Sequence, residues 1–506
     1  MYWSSNWEST IRPIREDGHR AFIALVELDR DDSDEANGGW VTFDAYDFDR
    51  VGPPWEEFWD DGDALLAVRA PFNEVRARFP NAVVEDGGWV LFEAHSVVDN
   101  EMLAAEVILF GDNQEGGQKP PSIGISQLEF IPEDATWYLL ESSMLARERR
   151  SPAWLISAML NVPLQDVAKR DIAVAVYDVG QGNCNAIVDQ NSHPRIFFDY
   201  GWAPNFHAKS RPSLPLQLHS LDFCVTAPVV LSHWDMDHWC YAIKSSTFNP
   251  TSLTTRHEWK DEALQRFWIA RRPQVKEHQL GPLSQSFYRA LRSNTKLGNL
   301  QSILLWPDRL KRVDFAAGWL EACEAPKGTP SDRNNSGIAM FVRPYKHGQS
   351  ILLPGDADFP CIPGLKSRAG KTLAGLVAPH HGAHVTLSSI PQPVSGSPAR
   401  LVMSVGAENS YGHPKQHAID AYVRSGWQVS STQERIECTR VGTRHLAHVH
   451  GNTLLKFDIS APDPNESYVR VRQGNLCLRP SRGPFALPVQ GTSRKVSKAS
   501  RTAIDQ

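Results

Sequence analysis

The stretch Ser232-His233-Trp234-Asp235-Met236-Asp237-His238 decides how this chain is read, because it places four metal-binding side chains within six residues. It follows directly on Ala227-Pro228-Val229-Val230-Leu231, an apolar run that reads as a buried strand. Two imidazoles and two carboxylates at the end of a strand make a divalent-metal site, since His nitrogen and carboxylate oxygen suit zinc, manganese and iron alike. A capped turn is the plainer alternative for one such run, so the weight of the reading rests on what stands around it.

The same pattern of a strand running into a polar or glycine turn recurs on both sides. Upstream, Ile172 to Tyr177 leads into Asp178-Val179-Gly180-Gln181-Gly182-Asn183-Cys184, and Arg195 to Phe198 leads into Asp199-Tyr200-Gly201. Downstream come Asn334-Asn335-Ser336, then Ser350 to Leu353 with Pro354-Gly355-Asp356, then Leu376 to Ala378 with Pro379-His380-His381-Gly382. The series closes on Ser404-Val405-Gly406-Ala407-Glu408-Asn409-Ser410-Tyr411-Gly412-His413-Pro414.

In this order the motifs closely resemble the soluble metallohydrolase domain of ComEC-type DNA-uptake proteins, with His-x-Asp-x-Asp-His as a variant of the His-x-His-x-Asp-His signature of metallo-β-lactamase-fold hydrolases. The resemblance covers roughly residues 171 to 460 and implies an α/β fold, the metallo-β-lactamase αββα sandwich. It further implies two divalent ions, zinc or manganese. By resemblance His233 and Asp235 would bind the first ion, Asp237 and His238 the second, and Asp356 would bridge them. His380 or His381 would complete the ligand set of the second ion, with His380 preferred. Asp237 is also carried as a catalytic carboxylate, and His413 as a proton donor to a leaving oxygen or a holder of a phosphate oxygen. Asp178 and Asp199 would orient the loop backbone without binding metal, and Asn335 and Ser336 would line the cleft. Three departures stand out. Asp235 replaces the usual second His, no His matches the ligand usually found between the metal loop and the Gly-Asp turn, and Asn183 replaces an acidic residue. The oxygen-rich set favours manganese over zinc, and one tightly bound ion is an alternative to two.

Length and charge organise the rest. The 506 residues predict two to four domains. Residues 1 to 170 carry 14 Lys/Arg against 32 Asp/Glu, residues 171 to 460 carry 30 against 23, and the last 46 carry 8 against 3, so the overall −6 conceals an acidic front and a basic back. The boundaries expected are an acidic β-rich (α+β) N-terminal domain over 1–168, the hydrolase domain over 169–460, and a basic extension over 461–506 whose end, Gly491 to Gln506, reads as a disordered tail. The seven cysteines (184, 224, 240, 323, 361, 438 and 477) form no Cys-x-x-Cys pair and read as reduced thiols of a cytoplasmic protein. No apolar run approaches the ~18 residues of a membrane span, and no basic-then-apolar signal opens the chain, so no membrane is expected.

Within the front region Ala21 to Leu28, Trp40 to Phe43, Trp89 to Phe92 and Val107 to Phe110 read as strands punctuated by Gly-Gly and Asp-Gly turns, and Ala64 to Phe79 as a helix interrupted by Pro71. Its acidic surface is either a solvated face or a docking module for a basic protein partner. Residues 241–327 read as a helical insertion in which Leu264, Phe267, Trp268, Phe287, Ala290 and Leu291 form core. The basic residues Arg271, Arg272, Lys276, Arg289, Arg292, Lys296, Arg309, Lys311 and Arg312 offer either a nucleic-acid face or an ordinary solvated one.

These readings converge on a metal-dependent phosphodiester hydrolase, most simply a nuclease with DNA as substrate, in a context of bacterial conflict or phage defence. Two rivals are a small-molecule hydrolase acting on a cyclic nucleotide, ester or lactam, and a scaffold with a degenerate site whose acidic half binds a partner.

Overall fold

Residues 19–131 close into a six-stranded barrel: β1 His19–Asp29, β2 Trp40–Asp47, β3 Leu65–Pro71, β4 Trp89–His95, β5 Leu103–Val107 and β6 Ser122–Ile131. The order is β1-β2-β3-β5-β6-β4 with every pairing antiparallel. Side chains alternate across a strand. Phe22, Ala24 and Val26 therefore fill the barrel with Phe43, Val68, Val90, Phe92 and Ile125. Ile23 and Leu25, on the opposite face, join Trp89 and Leu91 in a core shared with the rest of the chain. The expected helix over 64–79 is corrected. Leu65 to Ala70 are all buried, which a strand with neighbours on both sides accommodates, and only α1, Phe72–Arg78, is helical after Pro71. Strand β5 likewise ends at Val107, so residues 108 to 110 lie beyond it.

The computed structural model describes residues 19–29, 39–51, 62–111, 119–131, 151–212, 227–272, 280–294, 301–327, 333–346, 348–367, 372–383, 385–395, 399–409, 411–434, 436–437, 449–459 and 469–475. Lys276, Lys296, Ser410, Arg147 to Arg150 and the tail from Gly491 lie outside them. Among the described residues no helix is long and apolar enough to cross a membrane.

After α2 (Ala153–Asn161), two mixed sheets make up the body. Its strands in chain order are β7 Ala173–Val176, β8 Asn185–Val188, β9 Pro194–Phe198, β10 Val229–Val230, β11 Ile243–Asn249, β12 Thr254–Trp259, β13 Trp268–Arg271, β14 Ile303–Trp306, β15 Arg312–Phe315, β16 Gly318–Ala322, β17 Ile338–Val342, β18 Ser350–Leu353, β19 Leu373–Val377, β20 Arg400–Met403, β21 Gln428–Ser431, β22 Ile436–Glu437, β23 Val449–His450, β24 Thr453–Ile459 and β25 Val469–Asn475. The first sheet runs β14-β13-β10-β9-β8-β7-β24-β25 and the second β15-β16-β17-β18-β19-β20-β21. They face each other across one core that draws Val174, Ile187, Phe198, Val230 and Ile269 from the first and Leu320, Met340, Ile351, Val377 and Val402 from the second. Strands buried on both faces carry continuous apolar runs, as Ile338 to Val342 does.

Two helices cover the outer faces. Helix α4, Pro282–Ser293, buries Leu283, Phe287 and Leu291 against the first sheet and the barrel, with Phe287 stacked on Trp239 at 4.7 Å. Its start is held by the barrel: Asp44 of β2 accepts the Leu283 N–H at 3.1 Å, and a side chain at Gly281 would meet Asp44 Oδ2 at 1.9 Å. Helix α5, Gln416–Arg424, buries Ala418, Ala421 and Tyr422 against the second sheet.

Residues 241–327 are not a helical insertion. Their described residues contribute β13 and β14 to the first sheet, β15 and β16 to the second and the β11–β12 hairpin, and among these described residues the α-helices are α3 (Asp261–Leu264) and α4. Trp268, expected on a helix, sits in β13, because a four-residue buried strand and a buried helical turn carry the same apolar run. The domain boundary expected at residue 460 falls between two paired strands, since β25 from beyond it pairs with β24.

Candidate metal centre

The metal loop leaves the carboxyl end of β10, and the other candidate turns leave the ends of β7, β9, β18, β19 and β20. Asp199 fixes the loop from beneath. Its Oδ1 accepts the Ser232 N–H at 2.7 Å, and its Oδ2 accepts the Ser232 hydroxyl at 2.9 Å and faces His238 Nδ1 at 2.9 Å. The Asp237 carbonyl accepts the Asn183 N–H at 3.0 Å and packs where a side chain at Gly201 would intrude to 1.7 Å. Gly201 is thus required by close approach, not by a turn.

Three imidazoles converge with their outer nitrogens already engaged. His381 Nδ1 donates to the Ser404 carbonyl at 2.7 Å, and His238 Nδ1 donates to Asp199. Ser232 gives its one proton to Asp199, so its oxygen accepts from His233 Nδ1 at 3.0 Å. All three rings therefore turn Nε2 inward. These three Nε2 atoms, together with Asp356 Oδ1, are buried without a hydrogen-bond partner. Asp356 Oδ1 lies 3.2 Å from His238 Nε2, and its Oδ2 lies 3.9 Å from His233 Nε2. Asp237 Oδ2 lies 2.9 Å from His381 Nε2, and Asp237 Oδ1 lies 3.7 Å from His238 Nε2.

Two ligand triads result, His233–His238–Asp356 and Asp237–His238–His381, each with its ligand atoms within 4.8 Å of one another. Orphaned inward nitrogens, carboxylates beside them and fixed outer nitrogens fit a divalent ion. His238 belongs to both triads, and one nitrogen donates to one ion. The geometry thus offers two overlapping shells and not two complete ones.

Charge follows the same pattern. Burial opposes ionisation of Asp356, but His238 and His380 outweigh it and hold its pKa well below the usual range. Burial likewise opposes the Asp237 charge, and His238 and His381 outweigh it. Burial works against protonating His238, yet Asp356, Asp237 and Asp199 raise its pKa well above the ordinary value, and Asp237 and Asp356 raise that of His381.

Several expected roles shift. His381 is the inward member of the pair, while His380 is 38% exposed with Nε2 3.8 Å from Asp356. Both residues sit at positive φ, 48° and 55°, and this turn aims the two rings apart. Asp235 joins neither triad. Its Oδ2 lies 3.3 Å from His233 Nε2, and its Oδ1 lies 3.5 Å from the Arg333 guanidinium. Burial opposes the Asp235 charge, but Arg333, His233 and His238 push its pKa below the usual range. Arg333 also binds Glu27 of the barrel at 2.7 Å and approaches Asp86 at 3.7 Å. Sequence reasoning missed both Arg333 and Glu27, which lie far apart in the chain and outside any motif.

Asn335 joins its turn to the one after β18, its Oδ1 accepting the Asp358 N–H at 2.9 Å, and the Ser336 hydroxyl donates within its own turn to the Arg333 carbonyl at 3.4 Å. Asp178 accepts the Gly451 N–H at 3.0 Å, joining the end of β7 to the start of β24. Asn183 donates to Asp199 Oδ2 at 3.2 Å, where an acidic residue would oppose that carboxylate. His413 is buried, its ring 5.9 Å from that of His380 and its backbone held by Asn409. Of the basic residues, Arg271 donates to the Cys323, Ser336 and Gly337 carbonyls, Arg289 is buried, Lys311 pairs with Glu324, and Arg312 pairs with Asp314 and covers Trp319.

No protein-family model matches the sequence, and no curated protein matches it. Among solved structures, a mutant of CmlA beta-hydroxylase aligns at 12% identity and a TM-score of 0.29, covering 81% of this chain and 74% of that chain, a likeness too slight to carry an argument.

Proposed function

We propose that the chain is a metal-dependent phosphodiester hydrolase of the metallo-β-lactamase αββα type, with DNA as its substrate. The observation that carries this is the inward set of three imidazole nitrogens and two carboxylates, His233, His238, His381, Asp237 and Asp356, at the carboxyl ends of strands from both sheets. Two face-to-face sheets with α4 and α5 outside them support the fold reading. A bound divalent ion supplies a water of pKa about 7 as nucleophile at neutral pH. The chain's own residues fix the rest: Ser232, Asp199 and the Ser404 carbonyl orient the ligand rings, and His413, its ring 5.9 Å from that of His380, would hold a phosphate oxygen or pass a proton to the leaving oxygen. The ComEC-type motifs support a nucleic-acid substrate, and a role in phage defence rests on that resemblance alone.

A second reading, a small phosphodiester or ester substrate, draws on a specific observation. The acidic barrel brings Glu27 and Asp86 up to the Arg333 side of the metal loop, and several of the basic residues of 241–327 are buried or paired. Plasmid and single-stranded DNA are incubated with the full chain plus manganese, zinc or EDTA, beside Asp237→Ala. Metal-dependent cleavage that the variant loses supports the nuclease. Metal binding without DNA cleavage, together with turnover of a chromogenic phosphodiester, shifts the reading to the small substrate.

A further inference from the structure

We propose that His19, Glu93 and His95 form a second, zinc-type divalent-cation site on the outer face of the barrel. This site stands apart from the one at the sheet ends. Eight residues of β1 separate His19 from Glu27, an extended span of about 26 Å.

The strand register assembles it. His19 and His95 are direct cross-strand partners in the antiparallel β1–β4 pair, which brings their side chains onto the same face. Glu93 stands two residues before His95 and so shares its face, opposite the small Ala21. Phe92 and Ala94, on the other face, point into the barrel core, so the three candidate ligands point away from it. Their ligand atoms lie within 4.8 Å of one another.

Hydrogen bonding leaves His95 in the right form to bind. Ser126 of β6 gives its hydroxyl proton to Glu93 Oε2 at 3.3 Å, so toward His95 Nε2, 2.6 Å away, the same oxygen accepts. His95 Nε2 then carries the ring proton and its Nδ1 keeps the lone pair, the arrangement in which a second contact orients a ligating imidazole. The His19 and His95 rings are 3.9 Å apart at 64°, close enough for both to serve one ion. Two nitrogens and one carboxylate favour zinc, nickel or copper over calcium or magnesium, and a fourth position remains for water or a further ligand. A bound ion would clip β1 to β4, and β1 carries Glu27 to Arg333.

The test is zinc titration of the full chain against a chromogenic chelator, for wild type, His19→Gln, Glu93→Gln, Ser126→Ala and His238→Ala. The expected result is two classes of zinc in the wild type. His238→Ala weakens one class. His19→Gln and Glu93→Gln weaken the other by more than about tenfold, and Ser126→Ala weakens that same class by about 10–100-fold as a positioning residue. Circular dichroism verifies folding, and Glu93→Gln, which keeps the side-chain length, serves if His19→Gln unfolds. Zinc binding unchanged in His19→Gln and Glu93→Gln overturns the proposal, as does a wild type whose entire zinc content disappears with His238→Ala.

Discussion

Replacing Arg333 by Met removes a cation that joins the barrel to the metal loop through Glu27 and Asp235. In the native protein its guanidinium lies 2.7 Å from Glu27, 3.5 Å from Asp235 and 3.7 Å from Asp86. The Arg333, Glu27 and Asp235 side chains retain 12%, 18% and 24% exposure, whereas Asp86 is 48% exposed. Removing one partner of a buried pair costs about 3–5 kcal/mol because the other charge is left uncompensated. Asp86 adds ~0–1 kcal/mol at its exposure. Since Glu27 and Asp235 keep some contact with water, the lower end applies, about 3 kcal/mol. At roughly 2–4 °C per kcal/mol for a cooperative unit of 150–250 residues, the melting temperature falls by about 6–12 °C. Zinc affinity moves the opposite way, because Asp235 loses its competing cation while its other oxygen remains 3.3 Å from His233 Nε2. Adding Glu27→Gln to Arg333→Met restores part of the loss by removing a stranded carboxylate. Differential scanning calorimetry and zinc competition read both effects. A melting temperature within ~1 °C of wild type, or a double variant less stable than the single one, refutes the reasoning.

Three further outcomes follow from the same geometry. His381→Ala weakens zinc binding by more than about tenfold while His380→Ala changes it by less than about threefold; the reverse order in a chelator competition would restore His380 as the ligand. Because the carboxylates raise the pKa of His238 and His381, protons compete with metal, so zinc affinity rises from pH 6 to pH 8 with proton release. Calorimetric titration in buffers of different ionisation enthalpy measures that release, and its absence would exclude protonated ligands in the metal-free protein. His207 and His257 are both lowered to about 3, in each case first by burial, and for His207 next by Arg69. Their folded values lie below the ordinary 6.5, so the stability they carry is full above that pH and is lost as pH falls toward 3. The loss is about 2 kcal/mol per residue at pH 5. His257→Gln should therefore narrow the difference between melting temperatures at pH 7 and pH 5, and an unchanged difference would count against a neutral buried ring.

The sequence alone determined the loop His233 to His238, the turns carrying Asp199, Asp356 and His381, and the strands that end in them. Each is local: a short apolar run specifies a buried strand, and the polar residues after it must lie at its end. It also determined the β-rich front region, because the apolar run from Ala21 to Leu28 and turn-forming glycines are local signals too. Residues 241–327 were not legible in the same way, since a four-residue buried run such as Trp268 to Arg271 fits a strand or a helical turn until its neighbours are known. Only the tertiary structure decided that His381 faces inward and His380 outward, through a turn at positive φ and the Ser404 carbonyl that receives one ring. Only the tertiary structure, too, removed Asp235 from the ligand triads, by bringing Arg333 and the barrel's Glu27 beside it. Pairings between residues some three hundred positions apart leave no periodic trace in a sequence; the packing of the barrel on the first sheet creates them.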